Sequence, residues 1–291
     1  MTAALQILAV AAVVSTLPVV IRARSAVRHT TLTTAWTWSL AALIAWCAAA
    51  LLFLGAKLAN HPLADQAWYF VSVISLCPPV AVLGAKRPGS RVWNFFVLLP
   101  LLFVLGSPAV TAWNSDLTVT PLSIETPWLI GHGLVIVMGL GNYLGTRFTL
   151  AALLAAVAMI LLLVPVGGAG GDAASLRSIA LLLLSAAIWS ARFAARGQSH
   201  PAGFDRVWND FRDQFGIVWA RRVQERLNDT GRKEKWPCRL ELSGFHWNEP
   251  LDPSAGETAN PQIAHALRWI LRRFVDPEWI DARIRSDSGV G

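Results

Sequence analysis

FTLAALLAAVAMILLLVPV, residues 148 to 166, has no charged side chain and a single hydroxyl, that of Thr149. A helix of roughly 20 such residues crosses the hydrocarbon core of a bilayer, where every backbone amide must find its partner inside the helix. Six more segments read the same way, at about Thr2 to Ile21, Ala35 to Gly55, Ala67 to Ala85, Val92 to Ala112, Pro127 to Gly145 and Ala174 to Phe193. Only Thr146 and Arg147 separate the fifth segment from the quoted one, which predicts a tight antiparallel hairpin. Composition agrees: with 54% apolar and 15% charged residues and a mean hydropathy of +0.47, the chain holds more apolar surface than a soluble domain can bury. The expected fold class is an all-α membrane bundle of about seven transmembrane helices over residues 1–198, followed by a small α+β domain over residues 199–291.

The charges are segregated. Residues 1–198 contain four of the 18 acids, Asp65, Asp116, Glu125 and Asp172, and eleven basic residues. Nine of those eleven, Arg22, Arg24, Arg28, Lys86, Arg87, Arg91, Arg147, Arg192 and Arg196, follow the first, third, fifth and seventh segments, whereas Lys57 and Arg177 alone occupy the opposite side. Short loops rich in Lys and Arg stay cytoplasmic. The N-terminus is therefore expected outside and the C-terminal tail in the cytoplasm. Arginine outnumbers lysine 21 to 4, as in GC-rich bacterial genomes, so the expected location is a bacterial cytoplasmic (inner) membrane. The first segment lacks a basic region before it and reads as an anchor rather than a secretory signal. Trp36, Trp38, Trp68, Tyr69, Trp93, Trp113, Trp128, Tyr143 and Trp189 fall near segment ends, as expected of interfacial anchors, and only Trp46 lies mid-span.

The net charge of +7 resides entirely in residues 1–198, because the tail balances 14 basic residues against 14 acids. A neutral tail argues against nonspecific nucleic-acid binding. Of three cysteines, Cys47 and Cys77 lie in spans and Cys238 in the tail, with no CxxC and no zinc-site spacing.

After a helix-breaking stretch from Gly197 to Gly203, Phe204, Val207, Trp208, Phe211, Phe215, Val218, Trp219, Val223 and Leu227 recur at helical spacing. They predict one amphipathic helix of about six turns, covering the core of its own domain; the alternatives are a helix lying on the inner leaflet or one binding a partner helix. A polar turn at Asp229 to Lys235 follows. Alternation over Cys238 to Leu242 predicts a strand, paired either with Phe245 to Trp247 or with another chain. Residues 248–260 read as an irregular loop, and Asn260 with Pro261 opens a helix whose stripe is Ile263, Leu267, Ile270, Leu271 and Phe274. Asp276 and Pro277 stop it, Pro277 to Ile284 adds a short helical turn, and disorder is expected from Ser286.

Chemistry is defined mainly by absence. No Asp, Glu, Lys or Arg sits mid-span, where pumps and coupled transporters place them, and the seventh segment has no lysine for a retinal-type Schiff base. HExxH, GxSxG, Walker and dinucleotide motifs are missing, as are the motifs of rhodopsins, of receptors coupled to G proteins and of cytochrome assembly proteins. No catalytic residue is assigned. The one histidine inside a span is His132, in Gly131-His132-Gly133, and His61, Asp65 and Glu125 lie on the same outer side, so His132 and His61 are the candidate ligands for a metal or haem. His29 belongs to the opposite face. The competing reading of His132 is a neutral imidazole bonded to a backbone carbonyl. Gly139, Gly141 and Gly145 predict close helix packing, with the Ala-rich sixth helix as neighbour, and Pro78 with Pro79 predicts a kink in the third.

Two functions fit these residues. One is a non-enzymatic membrane anchor, assembly or signalling component acting through its cytoplasmic tail, with the lipid bilayer and a protein bound by residues 204–284 as partners. The other is a small-molecule, metal or haem handler, or a transporter, using the outer side of the bundle around His132. The cofactor, if any, is not named by the sequence.

Overall fold

The computed structural model describes residues 3–55, 63–114, 122–168, 172–197, 203–247 and 253–284. Helices dominate. In chain order they are α1 (Ala3–Ser15), α2 (Leu17–Arg22), α3 (Thr33–Ala50), α4 (Leu63–Ile74), α5 (Cys77–Leu83), α6 (Ser90–Trp93), α7 (Leu99–Asn114), α8 (Thr126–Gly141), α9 (Thr149–Leu163), α10 (Ala173–Arg196), α11 (Phe204–Glu234), α12 (Pro253–Leu271) and α13 (Pro277–Ile284). A two-stranded antiparallel sheet, β1 (Cys238–Leu240) with β2 (Phe245–Trp247), lies between α11 and α12.

Four apolar helical stretches are long enough to cross a membrane: Ala3–Val27, Thr33–Leu54, Leu63–Leu83 and Ala173–Arg196. Three more, Asn94–Val110, Thr126–Gly141 and Thr149–Leu163, are apolar but shorter. Their outward faces expose large apolar side chains, a surface suited to a lipid phase rather than to water, with Phe103, Phe96, Ile7 and Val137 among the most exposed. The chain is thus membrane-embedded. Among the described residues beyond Phe193, only Val218 and Trp269 are large apolar side chains left exposed, so the lipid-facing character ends where the tail begins.

Local chemistry explains the breaks. Pro78 and Pro79 sit in the first turn of α5 and supply no N–H, so the third span is interrupted after Ile74. Ser75 then donates to the Val71 carbonyl and accepts from Trp46 Nε1 at 2.8 Å. Trp46 meets Trp68 edge to face at 6.1 Å. Trp68 is fully buried, which corrects its expected place at the interface: the ring joins helices instead of anchoring to headgroups. Trp36 and Trp93 likewise donate to the Val20 and Val80 carbonyls.

One packing expectation fails and another holds with a change of partner for the glycines. The connection between α8 and α9 runs from Asn142 to Phe148, longer than the two-residue hairpin predicted, because Gly145 turns with φ +81 and Asn142 is diverted to the tail. Gly139 packs against Pro79 of α5, which a Cβ would meet at 2.9 Å, whereas nothing lies within 4 Å of a Cβ at Gly141. The Ala-rich α9 is a neighbour of α8, as expected, although it runs chiefly along α10. Gly139 is therefore the glycine that gives a proline ring of α5 its room, and Gly145 faces Ile217 of the tail.

The tail also departs from its sequence pattern. What reads as one amphipathic helix is two helical halves broken at Gly216 (φ 78, ψ 175), and the second half continues through the expected polar turn to Glu234, where Lys235 adopts a left-handed conformation. α12 begins at Pro253, inside the expected loop, and carries Pro261 within it. The pairing of Cys238 with Trp247 supplies the second strand from this chain. Phe274 stands edge-on to Phe211, Phe215 and Trp219 at 5.3, 5.4 and 5.0 Å. That aromatic core is continuous with Leu32, Cys77, Val80, Val82 and Leu98, at the end of the bundle that carries Arg28, Lys86, Arg87 and Arg147. We call this the basic end.

Candidate functional site

α4 collects the polar chemistry of the bundle's other end. Asp65 and Arg177 of α10 form an ion pair, and the guanidinium also lies 5.9 Å from the Trp68 ring centroid. Arg177 is 2% exposed, although its place in the sequence suggests an outer loop. The difference arises because α10 starts at Ala173, capped by Asp172 accepting from the Ala174 N–H, which turns Arg177 inward within the first turns. Several buried atoms here lack a hydrogen-bond partner: Nε of Arg177, Nε1 of Trp68 and Oε1 of Gln66. Unpartnered buried polar atoms are costly, and their grouping on α4 and the facing α10 calls for a ligand, a water or a functional reason.

His132 adds two more. It is fully buried, and neither ring nitrogen has a hydrogen-bond partner, so the carbonyl bond expected of a packing histidine is absent. Its nearest aromatic neighbour is Tyr69, one turn along α4 from Asp65, with ring centroids 6.2 Å apart. The Tyr69 hydroxyl donates instead to the Leu105 carbonyl at 2.7 Å. His61 lies outside the described residues. Neither Asp65 nor Glu125 forms a ligand group with His132: among the described residues, the one cluster of metal-ligating type is His29, Asp276 and Glu278, at the basic end.

At that basic end the tail is fixed to three loops. Asn142, just past α8, is buried and satisfies the break in α11 from both ends: its carbonyl accepts from Ile217 N at 2.8 Å, its Oδ1 from Val218 N at 2.9 Å, and its Nδ2 donates to the Phe215 carbonyl at 3.1 Å. Gly216 is required there, since a Cβ would lie 2.2 Å from Asn142 Nδ2. Trp219 Nε1 donates at 3.0 Å to the Val82 carbonyl, which also accepts from Ala85 N at the end of α5. Arg147 pairs with Asp210 and Asp213 at 3.2 and 3.3 Å, and Arg283 reaches Asp210 at 2.7 Å. Burial pulls the Arg283 guanidinium below its ordinary pKa, and the Asp210 carboxylate beside it offsets part of that shift. The loop after α2 joins through Thr31 N to the Phe274 carbonyl and Asp276 N to the His29 carbonyl, both at 2.8 Å. Arg87 pairs with Asp276 at 2.7 Å. Burial also pushes the Cys238 thiol up to about 11, keeping it protonated.

Sequence reasoning finds His132 but misses Asn142, Gly216 and Trp68, because the partners that give them meaning are distant in the chain. The Gly216 signal was present as a glycine inside a helical pattern. No protein family, curated protein or solved structure matches this chain.

Proposed function

We propose that the chain is a non-enzymatic membrane protein that crosses the bilayer seven times, N-terminus outside, and holds residues 204–284 at the cytoplasmic face as a fixed platform for a protein partner, in an anchoring, assembly or signalling role. The observation carrying this reading is the three-bond engagement of Asn142 with the Gly216 break. A tail that only needed tethering would gain nothing from buried hydrogen bonds to three separate loops. Since the apolar face of α11 is spent on the bundle and on Phe274, the partner surface is the outward side of α12, α13 and the β1–β2 hairpin. The test is affinity purification of the tagged full-length protein in mild detergent. A defined partner that is lost on deleting residues 204–291, with membrane insertion retained, is expected; recovery of the same protein without the tail sinks the proposal.

A second reading rests on a different observation, the unpartnered atoms of His132, Gln66, Trp68 and Arg177. They would suit a small polar ligand held on the outer side of α4, in keeping with small-molecule, metal or haem handling. Haem absorbance or bound metal in the purified protein, lost in His132→Asn, favours it over the platform reading.

A further inference from the structure

We propose that the basic end carries a binding site for the phosphate headgroup of an anionic glycerophospholipid, formed where the loop after α5 meets the end of α12. An open groove of about 610 Å³ is lined by Lys86, Arg87, Pro88, Gly89, Arg272 and Arg273. One backbone and one side-chain hydrogen bond hold its walls together: Arg87 N donates to the Arg273 carbonyl at 2.8 Å, and Arg87 Nη1 to the Arg272 carbonyl at 3.4 Å. Four cationic side chains thus converge on one opening.

Their charge is largely uncompensated. Arg87 pairs with Asp276, but among the described residues Lys86, Arg272 and Arg273 have no acidic partner. Lys86 and Arg272 rest instead against the rings of Trp219 and Trp269, at 5.9 and 5.1 Å. Elsewhere in the tail, acids meet arginines directly, as Asp210 and Asp213 meet Arg147. The tail's neutral sum therefore conceals a cationic edge, which a like-charged cluster keeps only at an electrostatic cost that an anion would remove.

The surroundings point to a lipid and not to a soluble phosphate. The chain leaving Pro88 and Gly89 goes directly into the turn and helix that expose Val92, Phe95 and Phe96, the last two at 67% and 77%. Trp269 beside the groove is itself 41% exposed, as suits a ring at headgroup level. A lipid with its phosphate among Lys86, Arg272 and Arg273 would lay its acyl chains on those phenylalanines. Basic pockets beside membrane helices at a charged bilayer surface bind anionic headgroups by this combination. The site does not depend on which partner, if any, the tail binds.

Native mass spectrometry of the full-length protein in detergent, titrated with phosphatidylglycerol or phosphatidylcholine, tests this. Retention of the anionic lipid at least roughly tenfold above the zwitterionic one is expected, falling by a similar factor in Lys86→Gln/Arg272→Gln/Arg273→Gln. Arg239→Gln, exposed on the hairpin, should leave retention unchanged. If the triple variant does not fold, Arg273→Gln alone and the loss of retention with rising salt serve the same purpose. Equal retention of both lipids, or unchanged retention in the groove variants, overturns the proposal. Displacement by millimolar inorganic phosphate overturns it too, by assigning the groove to a soluble anion.

Discussion

Asn142 is the residue on which the docking of the tail is most exposed to test. Replacement by Ala leaves the part-buried Val218 N–H and the buried Phe215 carbonyl without their partner, at roughly 1–3 kcal/mol each. Asn142→Ala should therefore weaken docking by about 2–4 kcal/mol, read as faster hydrogen exchange over residues 204–220; unchanged protection would mean the two side-chain bonds contribute nothing. His132 offers the opposite expectation. With both ring nitrogens unpartnered, an apolar residue of similar size removes a desolvation cost and no hydrogen bond, so His132→Leu should match or exceed the wild-type unfolding temperature if the ring only packs. A more stable variant that has lost a bound ligand would identify the histidine as a ligand-binding group. The two residues also show what a sequence can reveal at this scale. A lone histidine in an apolar run stands out by composition, whereas Asn142 looks like any polar residue at a helix end, because its partner Phe215 lies 73 residues further on.

At the scale of elements, α11 shows where periodicity misleads. Its apolar residues recur at helical spacing through Gly216, since both halves turn their apolar faces to the same core, and the pattern is blind to a break that preserves phase. The backbone there, at φ 78 and ψ 175, is a conformation essentially reserved for glycine. Gly216→Ala should cost more than about 3 kcal/mol, combining that strain with the clash at Asn142, and release the first half of α11 to limited proteolysis; persistent resistance would show that the break can straighten. Between α4 and α10 the link is ionic. Asp65→Asn leaves the buried Arg177 guanidinium without its anion and should destabilise the bundle by about 2–3 kcal/mol, discounted from the fully buried case because Asp65 is partly exposed. Asp65→Asn/Arg177→Met should recover most of that loss in thermal unfolding. The single-variant deficit persisting in the pair would instead point to a polar role for Arg177 beyond the ion pair. Neither side chain announced the contact in the sequence, for loop arginines and helix-end aspartates are common and their pairing is a tertiary fact.

For the whole molecule, parity constrains how many times the chain crosses. The loops holding His29, Arg87 and Arg147 all contact the tail segment after Gly203, so an even number of crossings must separate each from the next. Between Arg147 and the tail lie α9 and α10. If α10, which is long enough to span, does cross, then α9 returns across the membrane too, although its 15 residues reach only about 22 Å at 1.5 Å per residue. Local thinning of the bilayer and the turn after Leu163 would have to cover the remainder. Between Arg87 and Arg147 the pair is α7 and α8, both short, which either cross together or dip in and return together. On that premise the proposed count is seven crossings, with five as the alternative, and the basic-residue asymmetry, legible in the sequence alone, is the ground for proposing a cytoplasmic basic end. Reporter fusions decide it. We expect a periplasm-active reporter to work after Thr120 and to be silent after Gly197. Silence at both positions would mean that α7 and α8 re-enter and the count is five, while activity after Gly197 would invert the orientation and place the tail, with its cationic groove, outside.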